Sequence, residues 1–393
     1  MRPIVNTHVH LPPNFSAFRT PEEAVDVAAR EGARVVGASN FHDHRVYRRF
    51  EAAALRAGIL PTFGLEFITV VDELREAGTL VNDPANPGRM YLCGKGINPF
   101  REPSAAALAI EAAARAANVE RARAMVALVR DRFAGGGVAT SLDDATIIED
   151  VADRAGVPAD WIVLQERHIA MAFQEVLFLL IPAERRTARL ASVFGAPTTV
   201  NVDDAVAVQG EIRSRLMKVG GPAFVAESAL SFGDAVRLVL EADGIPAYPT
   251  LADGASPICA FEDPPEELAR RMLDLGLHAA ELIPARNSPD VVDRYVRAFR
   301  SAGIVVAAGT EHNTLDQIPF NPACRGGMPL SAYARDAFLE GASVIVAHQH
   351  ERSMGRPGFV EPDGRPGSGD REARIHHFAE LGSAIIDSGV LVP

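Results

Sequence analysis

The sequence predicts an α/β barrel that a helical segment interrupts once. Short apolar strands alternate with helices over most of the chain, which is typical of a parallel sheet. Residues 98–230 depart from this alternation, so 1–97 and 231–393 are assigned to the barrel and 98–230 to a helical insertion over its active-site face. The barrel part has 260 of the 393 residues, close to the roughly 250 expected of a single barrel.

The first elements follow from local patterns near the N-terminus. Residues 4–10 are predicted to be a strand because they begin with apolar side chains and the turn-forming segment 11–14 follows. A helix is expected after Thr20, which can cap it, with Pro21 in its first turn. The alternation continues with strands at 34–39 and 60–66 and a helix at 47–57.

The later elements follow the same scheme. Strands are expected at 245–249, 279–283, 304–309 and 343–347. Helices are expected beside them at 229–243, 265–275, 289–302, 331–340 and 371–388. Within the insertion, helices are expected at 104–133, 143–154, 166–180 and 183–194. Because the alternation resumes after the insertion, one interrupted barrel is favoured.

Composition excludes several classes of protein. The chain is 48% hydrophobic and 23% charged, so it can bury a large core and is not expected to be disordered. Its formal net charge of -12 argues against attraction to nucleic acid or anionic membranes. It has neither an N-terminal signal core nor the roughly 20-residue apolar run of a membrane helix, and its 3 cysteines are far apart. These features predict a cytoplasmic protein without disulfides.

The most informative pattern is the pair His8 and His10 at the end of the first predicted strand. Side chains alternate faces along a strand, so this spacing directs two imidazoles to one point. Glu66 ends the third predicted strand, and the carboxyl ends of barrel strands lie on one face. Imidazole and carboxylate ligands together suit Zn, Mn or Fe. The alternative is that these side chains are ordinary surface residues.

Several motifs occur in a fixed order along the chain: Asn6-Thr7-His8-Val9-His10, Phe63-Gly64-Leu65-Glu66, Glu166-Arg167-His168-Ile169-Ala170, Ile245-Pro246-Ala247-Tyr248-Pro249 and Ala308-Gly309-Thr310-Glu311-His312. Their type and order resemble the PHP (polymerase and histidinol phosphatase) superfamily over nearly the whole chain. The resemblance implies a distorted (β/α)7 barrel with divalent metal ions at the C-terminal ends of its strands. It also implies an enzyme that hydrolyses phosphate esters.

The resemblance implies roles for the matching residues. Metal ligands are implied at His8, His10, Glu66, Glu311 and His312. Catalytic roles are expected of Glu66, Glu311 and His168, although His168 could instead pack on an amphipathic helix. Substrate contacts are expected of Arg167, Lys95, Tyr248 and Asn40.

The chain departs from the superfamily at several ligand positions. The loop 12–16 lacks the acid expected there, Tyr91 replaces a histidine, and Asn313 stands where the last histidine is expected. These departures favour one or two ions over three. The side chains that could replace missing ligands are His42, His44, Asp253, His348 and His350.

The predicted function is metal-dependent hydrolysis of a small anionic metabolite, above all a phosphoester, by a metal-activated water. A barrel amide or lactone hydrolase, or a sugar-type isomerase, needs fewer metal ions and is the first alternative. A non-catalytic, PHP-derived ligand-binding protein is the second. The substrate is expected to be a small molecule, and the oligomeric state is left open.

Overall fold

A computed structural model describes residues 3–226, 229–367 and 369–389. In these residues the strands form one mixed, nearly closed, barrel-shaped sheet. The strands are β1 (Ile4–Val9), β2 (Ala33–Phe41), β3 (Leu60–Val70), β4 (Arg89–Lys95), β5 (Leu230–Ser231), β6 (Ile245–Thr250), β7 (Ala279–Leu282) and β8 (Val305–Ala308). The predicted α/β barrel is confirmed.

The helices surround this sheet. They are α1 (Pro21–Arg30), α2 (Tyr47–Arg56), α3 (Asp72–Glu76), α4 (Ala105–Gly135), α5 (Asp144–Ala155), α6 (Glu166–Leu180), α7 (Ala183–Phe194), α8 (Ala205–Ile212), α9 (Phe232–Glu241), α10 (Pro265–Asp274), α11 (Pro289–Ser301), α12 (Ala332–Ser353) and α13 (Arg371–Ser388). The hydroxyl of Thr20 accepts a hydrogen bond from the amide of Glu23 at 3.1 Å, so the predicted cap of α1 is confirmed.

The strand order around the sheet is β1-β2-β3-β4-β6-β7-β8, with the short β5 beside β3. The hydroxyl of Thr7 donates to the carbonyl of Ala308 at 3.0 Å, and the amide of His10 donates to the carbonyl of Glu311 at 2.7 Å. These bonds bring β8 back to β1 and nearly close the barrel.

One strand runs against the others. β4 is antiparallel to both β3 and β6, whereas the other long strands pair in parallel. The expectation of a wholly parallel sheet is therefore wrong for β4. An antiparallel neighbour needs no helix that crosses the sheet, and residues 71–88 contain only the five-residue helix α3.

The second correction concerns residues 343–347, which belong to helix α12 rather than to a strand. Every residue from 341 to 349 is buried, so the helix carries apolar side chains on all its faces. A short apolar run looks the same in a buried helix and in a buried strand, which explains the error. His348 and His350 therefore lie on helix α12 rather than directly after a strand.

The helices α4 to α8 have an apolar core of their own. Its fully buried members include Met125, Phe133, Phe173 and Leu190, none of which belongs to the cluster that fills the barrel and its helices. The exact boundaries of the insertion, 98 and 230, remain a prediction. Among the described helices, none has the length and apolar character needed to cross a membrane.

Two helical glycines allow a test of the packing. A β-carbon at Gly382 in α13 would overlap the backbone carbonyl of Ser343 in α12, whereas one at Gly210 in α8 would meet nothing within 4 Å. We expect Gly382→Ala to lower the free energy of unfolding by about 1–3 kcal/mol through overpacking. Gly210→Ala should raise it by up to about 1 kcal/mol, because alanine favours helix. Denaturant unfolding measures both changes, and an equal response of the two variants would contradict the close crossing of α12 and α13.

Candidate metal centre

Three side chains converge where β1 ends and where β3 passes it. The Nε2 atoms of His8 and His10 are 3.2 Å apart, and Glu66 Oε2 lies 3.2 Å from His10 Nε2 and 3.9 Å from His8 Nε2. Ligand atoms on a tetrahedral ion with bonds of about 2.1 Å are separated by roughly 3.4 Å. The three donor atoms therefore have the chemistry and the spacing to hold one divalent ion.

The buried carboxylate of Glu281 orients the imidazole of His8 through its Nδ1 atom. Glu281 Oε2 lies 2.7 Å from His8 Nδ1, and Glu281 Oε1 accepts a hydrogen bond from the ammonium of Lys95 at 2.6 Å. Burial alone would raise the pKa of Glu281, but His8 and Lys95 hold it well below its usual range. The ionised Glu281 accepts the Nδ1–H of His8, which leaves the lone pair of Nε2 facing His10 and Glu66.

Glu66 is also ionised at neutral pH. Burial would raise its pKa, yet the hydrogen bond from His10 and the nearby positive charge of Arg286 lower it below the ordinary value for a glutamate. An anionic oxygen beside two imidazole nitrogens is a ligand set that attracts a cation.

A second group of ligand atoms overlaps the first. His8 Nδ1, Cys93 Sγ and Glu281 Oε2 lie within 4.8 Å of one another. The Cys93 thiol lies 3.5 Å from Glu281 Oε2, and its pKa is raised well above the usual value by burial and by that carboxylate. Because both groups use His8, they compete for the same imidazole.

Glu311 lies on the loop that follows β8. Its carboxylate pairs with Arg286 and accepts a hydrogen bond from the Asn313 amide at 2.6 Å. Glu311 and His312 both have positive φ, and the amide of Glu311 is tied to the carbonyl of His8 at 2.9 Å. This uncommon turn directs Glu311 into the cavity that Glu66 also lines.

The ligand cluster opens into a cavity of about 730 Å³ that is lined by residues of the barrel and of the insertion. Its acidic members are Glu66, Asp83, Glu166, Glu281 and Glu311. Its basic members are Arg89, Arg121, Arg167, Arg213, Lys218, Arg286 and Arg325. Although the chain as a whole is acidic, the cations of this cavity outnumber its acids, and most of them form ion pairs.

Arg167 differs from the other cations of the cavity. Its guanidinium donates to the side-chain oxygen of Asn313 at 3.4 Å, and it forms no ion pair with any residue that the structure describes. Burial and the neighbouring Arg213 lower its pKa to about 10, so it is still charged at neutral pH. It is therefore available to hold an anionic group.

Two predicted site histidines pack within the protein. His312 Nδ1 lies 2.7 Å from the hydroxyl of Thr310 and Nε2 lies 2.8 Å from the carbonyl of Ile318, so protein groups occupy both nitrogens. His168 is outside the cavity lining, and its Nδ1 accepts the amide hydrogen of Gln165 at the start of α6. The geometry gives His312 no lone pair for a metal and His168 a capping role.

The predicted substrate contacts Lys95, Asn40 and Tyr248 do not line the cavity either. Lys95 is buried against Glu281. The Asn40 amide forms two hydrogen bonds with the backbone of Leu11, at 2.7 and 2.9 Å, and so fixes the loop after β1. The hydroxyl of Tyr248 donates to Glu262 at 2.9 Å.

The possible replacement ligands lie outside both groups of ligand atoms found in the described chain. His348 bonds to the carbonyl of Asp243 and to the amide of Phe359. Asp253 accepts hydrogen bonds from Asn287 and Ser288. The other three, His42, His44 and His350, also belong to neither group.

Sequence reasoning missed Glu281, Cys93 and Arg286. The signal for Glu281 was present, since it is the one charge in an otherwise apolar predicted strand, and a buried charge needs a partner. Cys93 and Arg286 carried no comparable signal, because β4 was not predicted and Arg286 ends a single helical turn after β7.

No family model matches the chain, and no curated protein matches it. Two solved structures are similar in fold. A protein from Bifidobacterium adolescentis, provisionally assigned as a metal-dependent phosphoesterase, has a TM-score of 0.57 and 15% identity over 87% of this chain and 97% of its own. An amidohydrolase from Chromobacterium violaceum, solved with sulfate and without metal, has a TM-score of 0.54 and 19% identity over 85% and 96%. These similarities support the barrel fold.

The buried His168 predicts a loss of stability in acid. Burial lowers its pKa from 6.5 to about 3, so between these values the unfolded chain binds a proton that the folded protein does not. As the pH is lowered through this window, the free energy of unfolding should therefore decrease, by about 1.4 kcal/mol per pH unit for this group. His168→Gln keeps a hydrogen-bond acceptor at the capping position and should reduce that slope.

Urea unfolding with a chelator present, at pH 6.5 and in steps below it, measures the slope. His377→Gln, at an exposed histidine of α13, is the matched control and should leave the slope nearly unchanged. Parallel pH profiles for wild type and His168→Gln would show that His168 titrates normally in the folded protein.

Proposed function

We propose that this protein is a metal-dependent hydrolase of a small anionic metabolite, with a phosphoester as the favoured substrate. The observation that carries the proposal is the convergence of His8, His10 and Glu66 at the edge of a cavity lined by cations. The three donor atoms would bind a metal ion, and the cations would bind an anionic substrate. The motif order further supports descent from the PHP superfamily with a reduced ligand set.

The donor set suits Zn, Mn or Fe, since imidazole favours borderline metals and a carboxylate widens the choice. Such an ion would lower the pKa of a bound water towards about 7 and polarise a phosphoryl or carbonyl oxygen. The protein residues supply orientation and proton transfer. Glu281 fixes the tautomer of His8, and Glu66 keeps its carboxylate next to both imidazoles.

Glu311 is the group best placed to exchange protons with a water in the cavity. It lines the cavity, and its carboxylate is oriented by Arg286 and Asn313. Arg286 offsets the negative charge of Glu311. An anionic substrate group can therefore lie close to Glu311 without repulsion between the two anions. Arg167, on the opposite side of Asn313, holds the same anion or another part of the substrate.

The fold neighbours are consistent with this proposal. One is provisionally assigned as a metal-dependent phosphoesterase, and the other holds a sulfate, which has the shape and charge of a phosphate group. The second candidate function is amide hydrolysis. It is favoured by the amidohydrolase neighbour and by the ligand set of two histidines and one glutamate, which several zinc peptidases use.

A substrate panel tests the proposal and separates the two candidates. The purified protein would be loaded with Zn, Mn or Fe(II) and assayed against phosphomonoesters, lactones and amides. Metal-dependent release of phosphate supports the first function, and amide cleavage with no phosphate release supports the second. A protein that binds metal but cleaves neither class would contradict both.

The metal ligands can be tested without a substrate. We expect His8→Ala combined with His10→Ala to remove the bound transition metal, because two of the three donor atoms are lost. His348→Ala removes a buried histidine outside the site and should keep the metal. Elemental analysis of the purified proteins gives the metal content, and equal content in wild type and the double variant would refute the assignment.

The role of Arg167 can be tested once a substrate is found. We expect Arg167→Ala to lower kcat/KM at least tenfold, or about 1.4 kcal/mol, with unchanged metal content, because it removes an unpaired cation from the cavity. Arg186→Ala, in the insertion but outside the cavity lining, should leave kcat/KM within twofold of wild type. A similar loss in both variants would point to a general effect on the insertion.

A further inference from the structure

Lys95 is a buried cation inside the barrel that the proposed reaction does not use. Its ammonium lies 2.6 Å from Glu281 Oε1, 3.2 Å from the carbonyl of Thr7 and 3.4 Å from His8 Nδ1. The side chain is only 2% exposed. A buried ammonium is costly unless it is paired and hydrogen-bonded, and here a carboxylate and a carbonyl supply both.

The two overlapping groups of ligand atoms cannot both bind an ion through a neutral His8. The first uses Nε2 with His10 and Glu66, and the second uses Nδ1 with Cys93 and Glu281. A neutral imidazole has one lone pair and one N–H, so it offers a single nitrogen to a metal at a time. Whichever group fixes the tautomer of His8 therefore decides where the ion is held.

We propose that Lys95 is a built-in counter-cation that selects the first group and keeps the second free of metal, so that the centre holds a single ion. Its contact with Glu281 maintains that carboxylate as the acceptor of the Nδ1–H of His8. Its charge, 3.4 Å from His8 Nδ1, also repels any divalent ion next to that nitrogen. Lys95 is thus a positioning residue, and this inference rests on the proposed metal centre.

Loss of the lysine charge should transfer the ion to the second group. With Lys95→Met, Glu281 no longer has a cation partner, and an imidazole, a thiol and a carboxylate lie within 4.8 Å. Cys93 would bind as the thiolate, releasing its proton to solvent as the metal–sulfur bond forms. Thiolate ligation is visible with Co(II), because it adds a sulfur-to-cobalt charge-transfer absorption.

The experiment compares full-length wild type, Lys95→Met and Lys95→Met with Cys93→Ser, each loaded with Co(II). Bound cobalt per chain and the absorption spectrum are measured. We expect one cobalt and no thiolate absorption for wild type. Lys95→Met should show the thiolate absorption, and the added Cys93→Ser change should abolish it.

The outcomes separate this inference from the proposed function. Wild type that binds no cobalt refutes the metal centre itself. Wild type with two cobalt ions or with thiolate absorption, or folded Lys95→Met without it, leaves the metal centre standing and overturns the role of Lys95.

Lys95→Gln, which keeps a polar head group, replaces Lys95→Met if circular dichroism shows that the latter does not fold. If neither variant folds, the wild-type measurement decides, with one cobalt and no thiolate absorption supporting the inference.

Discussion

The buried ion pair of Lys95 and Glu281 is the interaction on which the rest of the site depends. It joins β4 to β7, and through His8 and Thr7 it joins both to β1. Removing one partner of such a pair leaves an unpaired charge in the interior, at a cost of about 3–5 kcal/mol. The carboxylate of the same pair also contacts His8 Nδ1, so one ion pair links the packing of the barrel to the orientation of a candidate metal ligand.

Two parts of the chain line the cavity. The barrel supplies the ligand atoms and Glu311, while α6 and the residues after α8 supply Arg167, Arg213 and Lys218. Most buried apolar residues of α4 to α8 form a cluster of their own, while Ala107 of α4 packs with the cluster that fills the barrel. The cations of the cavity therefore come from both parts of the chain, whereas the candidate ligand atoms come from the barrel alone.

The sequence predicted the parts of the structure that depend on short-range patterns. The helix bounds of α6 and α7 and the cap at Thr20 follow from local propensity, and the convergence of His8 and His10 follows from strand geometry. The direction of β4 could not be predicted, because strand pairing depends on contacts between distant residues. The helix at 343–347 was mistaken for a strand because burial on all sides removes the usual periodicity.

The difference between short-range patterns and contacts between distant residues also explains which roles of the site residues could be predicted. Residue type alone could not tell Arg167, which faces the cavity, from His168, which turns away on the same helix. Asn40 and Tyr248 lie near strand ends as expected. Their side chains, however, form hydrogen bonds inside the protein instead of facing the cavity. Orientation is set by partners far along the chain, and a single sequence does not reveal those partners.

The burial of the central residues 341–349 of α12 bears on how an ion could enter or leave the candidate metal centre. This helix packs against β1, β3 and β8, the strands that carry or immediately precede His8, Glu66 and Glu311. Local opening around these ligands would have to detach a helix whose central residues are out of contact with solvent, so it requires much of the free energy of global unfolding. An ion released through opening of this region would therefore leave on the timescale of unfolding, and release on a faster timescale would have to occur directly through the cavity.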